Sequence, residues 1–340
     1  MDKSRTKEPW IDIVKWVACM LVLLGHFFQS MEKSGIMEVT KGYQWFEHTI
    51  YLFHVPLFFI CSGYLYQRNS QVTTRQEWKD NVLRKLINLG VPYVAFSSAS
   101  FLMKELFQGS VNEENSISLL KTLLFEPMSP YWYLYILFFL FLITPTFKSG
   151  KQAGAALAIS AFIYLFHQNE TVKEVYFIGG VAHREIWFVA GMALGIFHEK
   201  IKVDRRLWAF SFLLFPISMI GYNKEMDMCL WIPYSLIVGI CGCALVLETS
   251  LFLNCRVSER FVLFSRRNTL PVFLMHTIAS AGIRSVLCKM GIMNLGVHMV
   301  LGIAGGILLP VAAAEIMRRF RWMHFFIYPN FGRKDRIENG

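Results

Sequence analysis

Long apolar runs, separated by short charged segments, recur along the whole chain. Each runs for roughly 17–23 residues, the length that crosses a bilayer as a helix. Ten spans are predicted, at 10–30, 48–66, 87–107, 131–147, 153–168, 182–198, 207–222, 229–250, 268–287 and 295–317. Hydrocarbon offers the backbone no hydrogen-bond partner, so segments of this kind fold as helices. The predicted fold class is therefore all-α, a polytopic integral membrane bundle of about ten transmembrane helices. It occupies residues 1–317 and leaves a short basic cytoplasmic tail at 318–340. The stretch 117–128, ISLLKTLLFEPM, is too short to cross and is broken by Lys121 and Glu126. An amphipathic helix lying on the outer surface is expected there.

Charge orients the bundle. Of the 34 Lys and Arg, 24 fall in segments that are cytoplasmic if the N-terminus is inside. Eight fall on the other side or at span ends there: Lys33, Lys41, Lys104, Lys121, Lys173, Lys224, Arg284 and Lys289. Lys15 and Arg184 lie within spans. The positive-inside rule then places both termini in the cytoplasm, in a multi-pass protein of the inner (cytoplasmic) membrane. No small-residue cleavage site follows the first run, which reads as a retained signal anchor.

Composition agrees with the pattern. The chain is 54% hydrophobic and 15% aromatic, with mean hydropathy +0.40, too apolar for an ordinary soluble protein. A net charge of +10 could suggest nucleic acid, but cytoplasmic loops account for it, and the lipid bilayer is the expected partner. The seven cysteines include no C-x-x-C pair, so neither zinc nor a disulfide framework is indicated and no metal is expected. Trp10, Trp45, Tyr131, Trp132, Tyr133, Trp208, Trp231 and Trp322 sit near span ends and read as interfacial aromatics. Gly191-x-x-x-Gly195 and Gly302-x-x-x-Gly306 read as close helix packing. The H-x-x-x-x-D, G-x-S-x-G, H-E-x-x-H and Walker A motifs are all absent.

Chemistry must then come from polar groups inside the spans. An ionisable side chain at mid-membrane costs about 2.5–3.5 kcal/mol even on lenient scales, so such groups face a protein interior or a wet cavity. The first helix carries three: Asp12, Lys15 and His26. Lys15 and His26 are eleven residues apart, hence within roughly 20° on one face and about 16 Å apart along the axis. Asp12 precedes Lys15 by three, a spacing that suits an ion pair. These three form the candidate catalytic set. In the second span, FHVPLFFICSGYLYQRN, Pro56 predicts a kink, and His54, Ser62 and Tyr64 are candidate substrate-binding groups. Arg184, Glu185, His276 and Glu315 are further intramembrane candidates, with a structural ion pair to Arg318 or Arg319 as the plainer role for Glu315. Arg68, Arg75, Arg84 and Lys85 form a basic stretch; the positive-inside rule alone would also explain it.

WIDIVKWVACMLVLLGH followed by FHVPLFFICSGYL resembles the membrane acyltransferase-3 family, in particular its fucose 4-O-acetylase-like sugar O-acyltransferase branch. The shared signature is a basic residue, ten intervening residues and His, matched by Lys15 and His26. Weaker echoes continue in RKLINLGVPY, YWYLYILFFLFL, EIWFVAGMALG and NTLPVFLMH. The resemblance implies an enzyme that moves an acyl group, usually acetyl, from cytoplasmic acetyl-CoA to a hydroxyl of a cell-envelope or exported carbohydrate. It implies a central role for His26, as general base or as acyl relay. It also places CoA phosphates near Lys15, where an Arg is common in the family, and near Arg68, Arg75, Arg84 and Lys85. The acceptor is expected to be modified directly, or the acyl group passed to a partner in glycan synthesis. The rival reading is a transporter or flippase of a small molecule or glycan intermediate. It differs in one respect: transport should tolerate loss of His26.

Overall fold

The computed structural model describes residues 8–70, 72, 74–108, 112, 115, 117–166, 176–202, 204–220 and 228–329. All regular structure among them is helical: α1 Pro9–Lys33, α2 Lys41–Asn69, α3 Arg75–Leu106, α4 Leu119–Leu124, α5 Trp132–Ile143 and α6 Gly150–Phe166, then α7 Tyr176–Ile196, α8 Arg205–Ile220, α9 Met228–Leu253, α10 Glu259–Lys289, α11 Leu295–Arg319 and α12 Arg321–Ile327. Among the described residues, six helices are long and apolar enough to cross a membrane: α1, α2, α3, the Trp231–Leu253 part of α9, α10 and α11. The other four expected spans fall on α5 to α8. At 1.5 Å per residue α5 is about 18 Å long and α6 about 26 Å, against a hydrocarbon core of about 30 Å. The 21 residues of α7 are interrupted by Arg184 and Glu185, and α8 has 16 residues. The surface stretch at 117–128 forms only the six-residue α4.

The ends of these helices are written in the sequence. Pro9 occupies the first turn of α1, where a missing N–H costs nothing. Thr74 and Glu77 make a reciprocal capping box at the start of α3. Ser258 and Asn294 cap α10 and α11 through their side chains.

Helix α1 is central. Its buried residues occur on several faces, and it packs against α2, α9, α10 and α11. Helix α2 lies between α1 and α7, and the α2–α7 contact is unusually close. A Cβ built on Gly63 would stand 2.0 Å from the Phe188 carbonyl oxygen, and one on Gly191 would stand 2.0 Å from that of Ile60. The glycine spacing is thus a backbone-to-backbone seam. In α11, Gly302 meets the Phe27 ring and Gly306 meets Ser280. By contrast α3, α8 and α11 present Leu83, Val94, Phe210, Leu213, Val300 and Leu308 outward, the apolar surface that lipid requires.

Two prolines inside long helices each free the carbonyl four residues earlier, and one of these is taken up by neighbours. Pro271 in α10 leaves the Arg267 carbonyl without its helical donor; Arg318 Nη2 donates to it at 2.8 Å and Tyr328 Oη at 3.1 Å. Pro56 in α2 does the same to Leu52, whose oxygen would lie 2.9 Å from a Cβ on Gly239 of α9. The region after Arg318 therefore begins as a packed element, with α12 against α3 and α11. Residues 330–340 of the expected tail lie outside the described residues.

Candidate functional site

Three histidines on three helices come together in the bundle. His26 of α1 and His276 of α10 face each other with ring centroids 5.5 Å apart and planes tilted by 35°. His54 of α2 lines a cavity with His26. The Nδ1 of His276 lies 2.9 Å from the carbonyls of both Val272 and Phe273, so Nδ1 carries the proton and Nε2 the lone pair. That Nε2 is buried without a hydrogen-bond partner among the described residues. His54 donates in the same way from Nδ1 to the Ile50 carbonyl. His26 itself is only partly buried, and its Nε2 lies 3.4 Å from Ser129 Oγ.

Two cavities meet at this point, and both are lined by His26 and Ser129. The first, about 220 Å³, is walled by aromatic and polar side chains: Tyr51, His54, Trp132, Tyr133, Tyr164, His183, Arg184, Trp187, Trp231 and Ser235. The Arg184 guanidinium carbon sits 4.6 Å from the Trp132 ring centroid, and Tyr164 Oη is 3.3 Å from Ser235 Oγ. Aromatic faces and convergent hydroxyl, imidazole and guanidinium groups suit a polyhydroxylated ligand. The second cavity, about 450 Å³, opens where α1, α3 and α10 end and is lined by Ser30, Lys33, Lys104, Asn112, Ser280, Arg284 and Lys289, among others.

Of the sequence candidates, the structure therefore gathers His26, His54, His276 and Arg184 around one locus. It does not gather the rest. Ser62 is hydrogen-bonded to Tyr133 Oη at 2.9 Å, just outside the first cavity. Tyr64 donates to Glu8, which also meets Arg68 at 3.3 Å, at the N-terminal end of α1. Glu185 is partly buried on α7 and lines neither cavity. Glu315 pairs with Arg267 and Arg318, each at 2.9 Å. Asp12 pairs with Arg266 of α10 at 2.7 Å rather than with Lys15, because α10 brings a planar guanidinium to the carboxylate. Lys15 has no hydrogen-bond or ion-pair partner among the described residues; it and Asp12 are both close enough to act electrostatically on the buried Cys61. Arg75 is exposed, Arg84 donates to Asn81, and Lys85 sits 3.7 Å from the Phe141 ring centroid. Among the described residues no cluster of His, Cys, Asp or Glu could hold a metal ion.

Several site residues escaped the sequence reading. Trp132, Tyr133 and Trp231 were expected at the lipid interface but line the first cavity. Tyr131 is fully buried, donating to the Leu274 carbonyl at 2.9 Å and meeting Ser100 at 2.7 Å. Position near a span end looks the same for an aromatic turned inward, so only the helix packing separates the two. His183 and Ser129 carried no signal beyond residue type.

Fold and site together define a helical membrane protein with an imidazole held between two compartments. The acyltransferase-3 model, an acyltransferase domain, matches residues 8–315, nearly the whole chain. The protein belongs to this family and is a membrane acyltransferase. No curated protein and no solved structure matches the chain.

Proposed function

We propose that the protein is an acyl-CoA-dependent O-acyltransferase of the inner membrane, acting on a hydroxyl of a cell-envelope or exported carbohydrate. The observation that carries this reading is the position of His26, shared by the walls of both cavities. Ten spans with both termini in the cytoplasm complete the proposal, α5 to α8 supplying the four crossings beyond the six long apolar helices. A sugar of the fucose 4-O-acetylase-like branch fits the first cavity, where Trp132, Trp187 and Trp231 offer faces to a pyranose and Arg184 and His54 offer polar contacts.

In this scheme His26 takes the proton of the acceptor hydroxyl, a transfer that imidazole near neutrality performs well. Acyl-CoA supplies an activated acyl carbon on a thiol leaving group. As the acceptor oxygen bonds to that carbon, the C–S bond breaks, and His26 returns the proton to the departing sulfur. His276 holds the His26 ring from the opposite side with its lone pair toward a buried space. Equally, His26 could take the acyl group itself and pass it to the acceptor. Lys15 fits a CoA phosphate, because it is the cation of the α1 stripe with no hydrogen-bond or ion-pair partner among the described residues. Arg68 is held by Glu8 and so is a poorer candidate.

The test is the acylation state of envelope and exported carbohydrate, read by mass spectrometry in a deletion strain. Complementation with the wild-type gene should restore an acyl ester that the His26→Ala gene does not. Unchanged carbohydrate acylation on deletion would refute the proposal.

A further inference from the structure

Two polar side chains beside His26 have no part in the acyl-transfer scheme. Gln29 follows His26 by three residues on α1, so their side chains are neighbours on the helix surface. Both line the second cavity, and Gln29 acts on the His26 ring as a hydrogen-bond acceptor. On its other side Gln29 Nε2 donates to Glu47 Oε1 of α2 at 2.7 Å. Gln29 and Glu47 are both partly buried, and Glu47 lines neither cavity. The carboxylate thus reaches the reacting imidazole by way of the amide.

The order of these groups decides where protons sit. A carboxylate only accepts hydrogen bonds, so Glu47 takes the NH2 end of the amide and leaves the carbonyl oxygen to the ring. A ring nitrogen that faces an acceptor carries the proton, and the other nitrogen then holds the lone pair. An imidazole without such a partner divides itself between two tautomers. When His26 takes a proton it becomes a cation, and the same oxygen, polarised by the carboxylate behind it, faces a stronger donor. A tie between the two helices does not call for this pair, because Glu32 of α1 already accepts from Tyr43 Oη of α2 at 2.9 Å.

We infer that Gln29 and Glu47 are positioning residues for the acyl transfer, holding His26 in the one tautomer whose free nitrogen takes the acceptor's proton. The inference rests on the acyl transfer proposed at His26. Glu47 orients the amide, the amide orients the ring, and neither exchanges a proton itself. The logic is that of a carboxylate behind a catalytic histidine, with an amide between the two. The proton that His26 takes from the acceptor leaves again to the departing sulfur, and the one shared with Gln29 stays on the ring.

Two measurements on purified full-length protein in nanodiscs test this, with wild type, Gln29→Leu and the exchanged pair Gln29→Glu, Glu47→Gln. The exchanged pair keeps a carboxylate–amide bond between α1 and α2 and still offers the ring an acceptor. The first measurement is transfer from labelled acetyl-CoA to carbohydrate extracted from a deletion strain. Gln29→Leu should lower kcat by about 10–100-fold, less than loss of the base itself, with the acetyl-CoA KM within about twofold of wild type. The exchanged pair should recover to within about fivefold of wild type on the same scale. The second measurement is nitrogen NMR of protein labelled in its histidine rings, the His26 signals being assigned by their loss in His26→Ala. Wild type and the exchanged pair should show one His26 tautomer, and Gln29→Leu should show both. Wild-type kcat in Gln29→Leu, or an unchanged single tautomer there, would overturn the inference. So would an exchanged pair as slow as Gln29→Leu at unchanged melting temperature, the result expected if the two residues only pack. The two claims stay separate: transfer by a wild type with mixed His26 tautomers removes only this inference, whereas no transfer by wild type removes the acyltransferase scheme and with it the purpose given to the pair.

Discussion

His276 meets His26 ring to ring at 5.5 Å, and its proton is committed to the carbonyls of Val272 and Phe273. The neighbour of the proposed base is thus an uncharged imidazole with its lone pair on Nε2. His276→Ala should lower kcat by about 10–100-fold, less than the loss of a general base itself, which contributes about 10²–10⁴. The KM for acyl-CoA should change little. His276→Asn, whose amide can donate to the same carbonyls, should recover part of the rate. Steady-state kinetics on purified protein distinguish this from a packing defect, which Asn would not repair.

Arg184 lies over Trp132 in the aromatic cavity. Trp132→Ala removes a ring face and a cation–π partner, together worth about 1–2 kcal/mol, hence about 5–30-fold in acceptor KM. The acyl-CoA KM should stay within twofold of wild type on the same scale of neutrality. Equal effects on both substrates would place the acceptor elsewhere.

On the first helix Lys15→Ala should raise the acyl-CoA KM by about tenfold, the value of one charge-assisted contact. Lys15→Arg should preserve it or improve it, because a guanidinium grips phosphate with two parallel donors. Competition between CoA and dephospho-CoA measures how much of the contact is phosphate.

Gly63 is one of the two tightest points of the α2–α7 seam, with Gly191. A methyl there would stand 2.0 Å from a backbone oxygen that cannot swing aside, so the two helices must separate. Gly63→Ala should cost about 3 kcal/mol or more and show as a lowered melting temperature in detergent and reduced yield. Glu315→Gln is the contrasting case. Its carboxylate is 51% exposed beside Arg267 and Arg318, and loss of such a pair costs at most about 1 kcal/mol. Activity should persist.

The sequence made the helices legible because hydrocarbon leaves the backbone one solution, and it made His26 legible because an imidazole inside a span needs a reason. It could not say which helices touch. Asp12 and Lys15 are ideally spaced for each other, yet Asp12 chose Arg266, 254 positions away, because α10 packs on α1. Trp132 and Trp231 looked like lipid anchors, yet bundle packing turned them toward a cavity. Ser62 and Tyr64, near neighbours in one motif, point to different partners, since residues two apart on a helix do not share a face. Gly191 was read for close helix packing, and its partner, the Ile60 backbone, emerged only from the α2–α7 geometry.

The most direct test of the central claim is acetyl transfer in inside-out membrane vesicles supplied with acetyl-CoA labelled in its acetyl group. Wild-type vesicles should place label in carbohydrate, and vesicles with equal amounts of the His26→Ala protein should fall below it by about 10²-fold or more. Equal label from the two would contradict the account, for His26 would then stand between two cavities without taking part in the transfer.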